Sequence, residues 1–190
     1  MKLASACTIS AMLAAFPAVA DDFSAAIQGF YETELAGWAS NQMLIDAVNA
    51  QNAQTSGYSL DQIDALDKAW RAEVGQASTP TISPVLDNSV SAFLRDQVNG
   101  FGGRVTEIFV MDAQGLNVAA SDVTSDYWQG DEEKHSQTYV VGPGAVHVAD
   151  VELDESTQRY QGQVSFTLVD PATGQAVGAV TVGVDAESLM

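Results

Sequence analysis

The spacing of apolar residues changes near the middle of the chain, between residues 100 and 103. In the first half, apolar residues recur at three- and four-residue steps, which is typical of amphipathic helices. The longest stripe, over residues 23–48, predicts one long helix. A second helix is predicted after Ser59, with Gln62 completing a capping box, and a third over residues 83–100 with Ser83 as its N-cap.

From Arg104 onward, apolar residues alternate with polar ones, which is typical of strands. Five strands are predicted, over residues 104–112, 116–121, 145–154, 159–169 and 176–184. The polar face of the fourth strand carries Gln161, Gln163, Ser165 and Thr167. The segment 122–144, with a short helical pattern, is too long for a hairpin loop. We expect it to cover the polar face and enclose a small polar ligand; water on that face is the alternative interpretation.

Residues 1–20 have the pattern of a signal peptide. A short positive start and an apolar stretch precede Ala18 and Ala20, the small residues that signal peptidase accepts. Cleavage after Ala20 is expected to leave residues 21–190 as a single domain in the periplasm, without the chain's one cysteine, Cys7. Lipidation of Cys7 is the less favoured alternative, because most of the apolar stretch follows the cysteine.

The negative charge of the chain disfavours some classes of binding partner. It has 25 Asp and Glu against 7 Lys and Arg, a formal charge of −18. Such a field disfavours nucleic acid and anionic lipid headgroups, and favours amines or zwitterions over multiply anionic ligands. After residue 20, no apolar stretch approaches the roughly 20 residues that cross a bilayer, so no direct membrane insertion is expected. No motif of a hydrolase, metalloprotease or nucleotide-binding enzyme is present, so we expect neither catalysis nor a cofactor.

Metal ligands are few in the sequence. The chain has two histidines, His135 and His147, and no further His or Cys partner after residue 20, so no zinc site is expected. Acidic residues crowd at 150–155, where calcium is one interpretation and a solvated acidic strand edge is the preferred one. We therefore predict no metal site.

Three segments resemble one protein family. The hairpin segment 108–121, the loop segment 123–132 and the final segment 177–184 are similar to those of extracytoplasmic Cache domains, which are PAS-like sensors. The similarity extends over most of residues 22–185. It implies an α+β fold in which a long N-terminal helix and two shorter helices pack on a five-stranded antiparallel sheet. It also implies a ligand pocket under loops on the face opposite the long helix.

The resemblance further implies a ligand site built from aromatic and charged side chains. The residues in matching positions are Asp126, Tyr127, Trp128, Lys134, Tyr139 and His147. Tyr127 and Trp128 are suited to stacking on a ligand or enclosing an ammonium group, or alternatively to filling the core. Asp126 is suited to pairing with an amine or to capping a helix. Lys134 is suited to binding a carboxylate, or alternatively stays solvated.

The resemblance implies that the protein senses a solute and transmits the signal through a second protein. In receptors of this family the last strand runs into a transmembrane helix, whereas this sequence ends at Met190. We therefore expect a periplasmic solute-binding domain that acts in signal transduction or chemotaxis through a membrane receptor or a kinase. The expected ligand is an amino acid, an amine or a small carboxylate. The alternative is an interaction module that pairs, for example as a homodimer, through its long helix without a ligand.

Overall fold

Helices and one sheet make up the computed structural model, which describes residues 17–154 and 159–190. The described helices are α1 Pro17–Phe30, α2 Gln42–Thr55, α3 Leu60–Glu73, α4 Ser83–Leu86, α5 Ser89–Gly100 and α6 Glu133–Ser136. The described strands are β1 Val105–Met111, β2 Asn117–Ala120, β3 Val146–Val148, β4 Glu152–Asp154, β5 Arg159–Val169 and β6 Ala176–Asp185. Most of the predicted signal peptide lies outside the described residues, so its cleavage stays a prediction. In the ranges above, no helix has both the length and the apolar character that a bilayer span requires.

The strands form one antiparallel sheet in the order β2-β1-β6-β5-β3, and β4 pairs with β5 on the same side as β3. The predicted α+β class with a five-stranded antiparallel sheet is confirmed, with one difference. The strand predicted over 145–154 is divided into β3 and β4. Val151 lies between β3 and β4 and packs on Gly162. A Cβ atom added to Gly162 would come within 3.0 Å of the Val151 side chain. Two short segments therefore share the fifth position in the sheet.

The long helix predicted over residues 23–48 is present as α1 and α2, joined by a π turn and a 3-10 turn over residues 31–40. Asn41 begins α2, because its side-chain oxygen accepts hydrogen bonds from the N–H groups of Met43 at 3.0 Å and Leu44 at 3.4 Å. Capping of this kind starts a new helix, so the helix is interrupted while the apolar stripe continues. The buried residues of the stripe are Phe23, Ile27, Phe30, Leu35, Leu44, Ile45 and Val48.

Of the other two predicted helices, the second has the predicted capping box and the third is divided in two. The capping box of Ser59 and Gln62 at the start of α3 is confirmed. The third predicted helix is divided after α4. Ser83, the predicted N-cap, is the first residue of α4, and Asn88 caps α5 by accepting a 2.9 Å hydrogen bond from the Ser91 N–H. Both interruptions occur at an asparagine, whose capping role the apolar periodicity does not reveal.

Apolar side chains pack on both faces of the sheet. On the first face, α1, α2 and α5 cover a cluster that includes Ile108 and Val182. On the second face, Trp70 of α3 and the α4 region pack on Phe109 and Met111. The chain between β2 and β3 also lies on this second face, where α6 contacts β5 and β6. The second face therefore has a helix-covered part, a loop-covered part and a part next to the loop that is left open.

Candidate functional site

The segment 121–145, here called the cover loop, is fastened to α3 by one buried carboxylate. Asp67 accepts hydrogen bonds from the backbone N–H groups of Tyr127 at 2.9 Å and Trp128 at 3.1 Å. Its other oxygen accepts a hydrogen bond from Arg71 at 2.8 Å. Because Asp67 is only 8% exposed, these bonds are largely shielded from water. Asp67 thus holds the first half of the cover loop against the second face.

Two aromatic residues of the predicted site lie beside this fastening. Tyr127 stacks on Trp70 with ring centroids 5.3 Å apart, and burial raises the pKa of Tyr127 to about 12. Trp128 donates a hydrogen bond from Nε1 to the carbonyl of Gln114 at 2.8 Å. Both rings therefore link the cover loop to its neighbours, Tyr127 to α3 and Trp128 to the turn between β1 and β2.

Two further predicted residues also contact neighbouring side chains. Asp126 accepts a hydrogen bond from the amide of Gln129 and lies 3.5 Å from the guanidinium of Arg71. Tyr139 stacks on His135 with ring centroids 5.2 Å apart. Asp126, Tyr127, Trp128 and Tyr139 do not line the cavity described below. A part for these four in ligand binding stays a prediction.

His135 belongs to the cover loop and is buried against Gly130 of the same loop and against the turn that joins β1 to β2. It is 5% exposed, and neither ring nitrogen has a hydrogen-bond partner in the described part of the chain. Burial lowers the pKa of His135, while the charge of Asp112 and the carbonyl groups of Asp112, Ala113 and Gly130 oppose this shift. The folded protein therefore binds a proton at His135 more weakly than the unfolded chain does.

Acidification is expected to destabilise the fold through this histidine. The stabilising contribution of neutral His135 is fully present above the ordinary histidine pKa of 6.5 and is lost as the pH falls toward the lower pKa of the folded state. We expect the free energy of unfolding, measured by urea denaturation from about pH 7.5 to about pH 5.5, to decrease less in a His135→Gln variant than in the parent chain. Equal pH slopes in the two proteins would contradict this assignment.

A cavity of about 650 Å³ lies beside the cover loop, on the open part of the second face. Its floor includes Gln163 of β5 and Gly183 of β6. Residues 106–107 of β1 form one wall, and residues 131–134 of the cover loop close one end. The facing wall is formed by Ala149, Asp150 and Glu152. Cavities of about 300 to 1,000 Å³ are the usual size for small-molecule sites, so this one, here called the groove, is large enough for a metabolite.

Carboxylates dominate the lining of the groove. Its acidic residues are Glu107, Asp131, Glu132, Glu133, Asp150 and Glu152. Two residues of the predicted site, Lys134 and His147, supply its basic groups. The Lys134 ammonium lies 2.8 Å from the Glu132 carboxylate and 5.4 Å from the ring centroid of Phe109, and the His147 imidazole lies 3.5 Å from the Glu133 carboxylate. Both basic groups already have acidic neighbours, so the remaining carboxylates give the groove a negative potential.

Glu107 reaches from β1 across the groove floor. One of its carboxylate oxygens accepts a hydrogen bond from the Gln163 amide at 3.1 Å. A Cβ at Gly183 would lie 2.7 Å from Cγ of Glu107, so the glycine leaves the space that this side chain occupies. Burial raises the pKa of Glu107, and the charge of Lys134 and the hydrogen bond from Gln163 oppose this shift. The carboxyl group is therefore partly withdrawn from water at a fixed position on the floor.

The carboxylates of the groove are spread around its lining. Within the described ranges, no three His, Cys, Asp or Glu side chains are grouped so that they could hold a metal. The calcium interpretation at 150–155 includes residues outside those ranges, so neither this alternative nor the preferred solvated acidic edge is tested. Carboxylates distributed around a cavity can instead accept hydrogen bonds from ammonium groups at several separate points.

Part of the lining of the groove was predicted from the sequence. Lys134 and His147 were predicted as site residues, and Gln163 was placed on the polar face. Glu107 and Gly183 were missed. A signal for Glu107 is present, since a carboxylate in a mostly apolar strand is expected to have a partner or a function.

No protein-family model matches the chain, and no curated protein matches it by sequence. Solved structures with a similar fold include sensor domains from three bacteria. The sensor domain of the V. cholerae histidine kinase DctB is 14% identical with a TM-score of 0.48, and the match covers 89% of this chain and 54% of that chain. The sensory domain of the Campylobacter jejuni chemoreceptor Tlp3 with isoleucine bound is 14% identical with a TM-score of 0.39, covering 85% and 63%.

The third such structure is the ligand-binding domain of the Pseudomonas aeruginosa PAO1 amino acid chemoreceptor PctC in complex with GABA. It is 14% identical with a TM-score of 0.41, and the match covers 75% of this chain and 57% of that chain. This chain thus spans less than two thirds of the length of each of the three structures. Similarities of this size concern the arrangement of helices and strands alone.

Proposed function

We propose that this chain is a periplasmic solute-sensing domain that binds a small cationic or zwitterionic molecule in the groove. The observation that carries the proposal is the groove itself, where six carboxylates face one ammonium and one imidazole in a cavity of about 650 Å³. The size is suited to a metabolite, and the negative potential disfavours multiply anionic solutes. The resemblance of the hairpin and the final strand to Cache domains agrees with a sensing role.

A zwitterionic ligand has complementary groups available at both ends. Its carboxylate can approach Lys134 and His147 at the cover-loop end, and its amine can approach the acidic walls. Because residues 131–134 belong to the cover loop, occupation of the groove would restrain this loop. A restrained loop offers a surface that a membrane receptor or a kinase can distinguish from the empty form.

The alternative, an interaction module that pairs through its N-terminal helix, has less support. It requires an apolar stripe that extends beyond what the sheet covers. In residues 22–55, Met43 is the one large apolar side chain that is exposed, and the rest of the stripe is buried or partly buried. The described part of the helix therefore has little apolar surface left for a second copy.

A thermal-shift panel tests the proposed function. Amines and zwitterionic amino acids are expected to raise the melting temperature, whereas dicarboxylates at matched ionic strength are not. At a hundredfold excess over its dissociation constant, a ligand that binds only the folded state adds about 2.7 kcal/mol. For a domain of this size, that corresponds to a rise of roughly 5 to 10 °C.

Two variants show whether any shift arises in the groove. Glu152→Gln removes a charge from the groove wall, and Asp96→Asn removes one from the exposed surface of α5. We expect the first variant to reduce the shift and the second to leave it unchanged. Absence of a shift with every amine and zwitterion, or an equal shift with dicarboxylates, would overturn the proposed function.

A further inference from the structure

Carboxylates lie on both facing walls of the groove, in addition to those of residues 131–133 at the cover-loop end. Glu107 belongs to β1, whereas Asp150 and Glu152 belong to the edge segments on the opposite side of the sheet. The floor between the Glu107 carboxylate and the edge segments presents the Gln163 amide, and the backbone of Gly183 lies beneath the Glu107 side chain. A ligand lying across this floor therefore meets carboxylates at both ends and amide groups in the middle.

The position of Glu107 sets the distance between the two acidic ends. Adjacent strands are about 4.8 Å apart, and β6 and β5 lie between β1 and the edge segments. The Glu107 side chain crosses over Gly183 of β6 and accepts a hydrogen bond from Gln163 of β5 at 3.1 Å. Its carboxylate therefore lies between one and a half and two strand spacings from the edge, a span of about 7 to 10 Å.

We infer that the groove binds a linear diamine, with one ammonium group at Glu107 and the other at Asp150 or Glu152. The inference rests on the proposed function and specifies its ligand class. In their extended forms, butane-1,4-diamine and octane-1,8-diamine bracket the span between the Glu107 carboxylate and the edge segments. A monoamine of the same chain length can reach one wall only.

Two features make Glu107 suited to one end of such a ligand. Its carboxylate is held in place by Gln163, so little conformational entropy is lost when an ammonium group binds. Its carboxylate is partly withdrawn from water, so solvent compensates its charge poorly, and this burial raises the pKa of Glu107. The Lys134 ammonium acts on Glu107 through its charge, but its ion pair, at 2.8 Å, is with Glu132.

A series of diamines of increasing length tests this inference by isothermal titration calorimetry on the whole chain. The probes are ethane-1,2-diamine, butane-1,4-diamine, hexane-1,6-diamine and octane-1,8-diamine, with n-butylamine and n-hexylamine as matched monoamines. We expect the affinity to reach a maximum at an intermediate length. The best diamine is expected to bind at least tenfold more tightly than the monoamine of equal length.

A substitution in β1 tests whether Glu107 is responsible for the tighter binding of diamines. Glu107→Gln keeps the shape of the side chain and is expected to remove the advantage of the diamine over the monoamine, whereas Asp96→Asn is expected to preserve it. Because Glu107 is partly buried, circular dichroism checks that the variant is folded, and Glu152→Gln provides a second test from the opposite wall.

The outcomes separate this inference from the proposed function. If diamines and monoamines of equal length bind with the same affinity, or if zwitterions bind and diamines do not, the inference is overturned while the proposed function stands. If the diamine advantage persists in Glu107→Gln, the assignment of Glu107 is overturned. If no amine or zwitterion binds, both are overturned.

Discussion

Replacement of Asp112 by alanine is expected to lower the free energy of unfolding by about 3 kcal/mol or more. Asp112 is fully buried at the end of β1 and accepts four hydrogen bonds. Two come from α2, from Gln51 at 3.0 Å and Thr55 at 2.7 Å. The other two come from the turn, from the N–H groups of Gln114 at 2.8 Å and Leu116 at 2.9 Å. Removing the carboxylate leaves these donors without their acceptor in an interior with little access to water.

A second hairpin provides the matched control. Asp170 occupies the turn between β5 and β6 and is partly exposed. In the described part of the chain its carboxylate accepts a single hydrogen bond, from the N–H of Ala172 at 2.8 Å. Asp170→Ala is expected to cost less than about 1 kcal/mol, because water can replace the lost acceptor. Urea denaturation of both variants measures the difference. Equal losses in the two variants would show that Asp112 does not join α2 to the hairpin in the way described.

Replacement of Trp70 by alanine is expected to cost about 3 to 5 kcal/mol, the usual range for truncating a fully buried aromatic residue. Trp70 has no exposed surface, donates a hydrogen bond from Nε1 to the carbonyl of Thr124 at 2.9 Å, and stacks on Tyr127. It is therefore the main apolar contact between α3 and the cover loop. Trp70→Phe keeps an aromatic ring but removes the N–H donor, so we expect a smaller loss, of about 1 to 3 kcal/mol.

Amide hydrogen exchange identifies the part of the chain that the Trp70 substitution destabilises. The amide groups of Tyr127 and Trp128 are bonded to Asp67 and are expected to exchange slowly in the parent chain. In Trp70→Ala their protection is expected to fall more than that of amides in β6. A loss of stability below 1 kcal/mol, or protection unchanged in the cover loop, would contradict the role given to Trp70.

Local signals in the sequence were sufficient for several elements of the fold. The capping box of Ser59 and Gln62 depends on residues three apart, and it is present as predicted. The turn before Leu116 depends on Gly115, which adopts a φ of 81°. Helix interruptions at Asn41 and Asn88 were missed, because an asparagine on a helical stripe is compatible both with a continuing helix and with a new cap. Choosing between these needs knowledge of what the following turn packs against.

The groove depends on contacts that sequence spacing does not encode. Glu107 lies on the groove floor because Gly183 leaves room for it and Gln163, 56 positions along the chain, holds its carboxylate. Such a placement becomes visible only when the strand order and register are known. Lys134 could be found from the resemblance, since it lies in the short helical pattern of the cover loop. The role of Asp67 in fastening Tyr127 has no comparable local signal, because the two residues are 60 positions apart.

The central claim is that a cationic solute binds in the groove between β1, the edge segments and the cover loop. Amide chemical shifts of the whole chain, followed by NMR during titration with butane-1,4-diamine and separately with succinate, test it most directly. We predict that the diamine shifts the amide signals of Glu107, Lys134 and Gly183 in a saturable way and that succinate does not. Saturable shifts confined to Tyr127 and Trp128, no shifts at all, or the same groove shifts with succinate would contradict the claim.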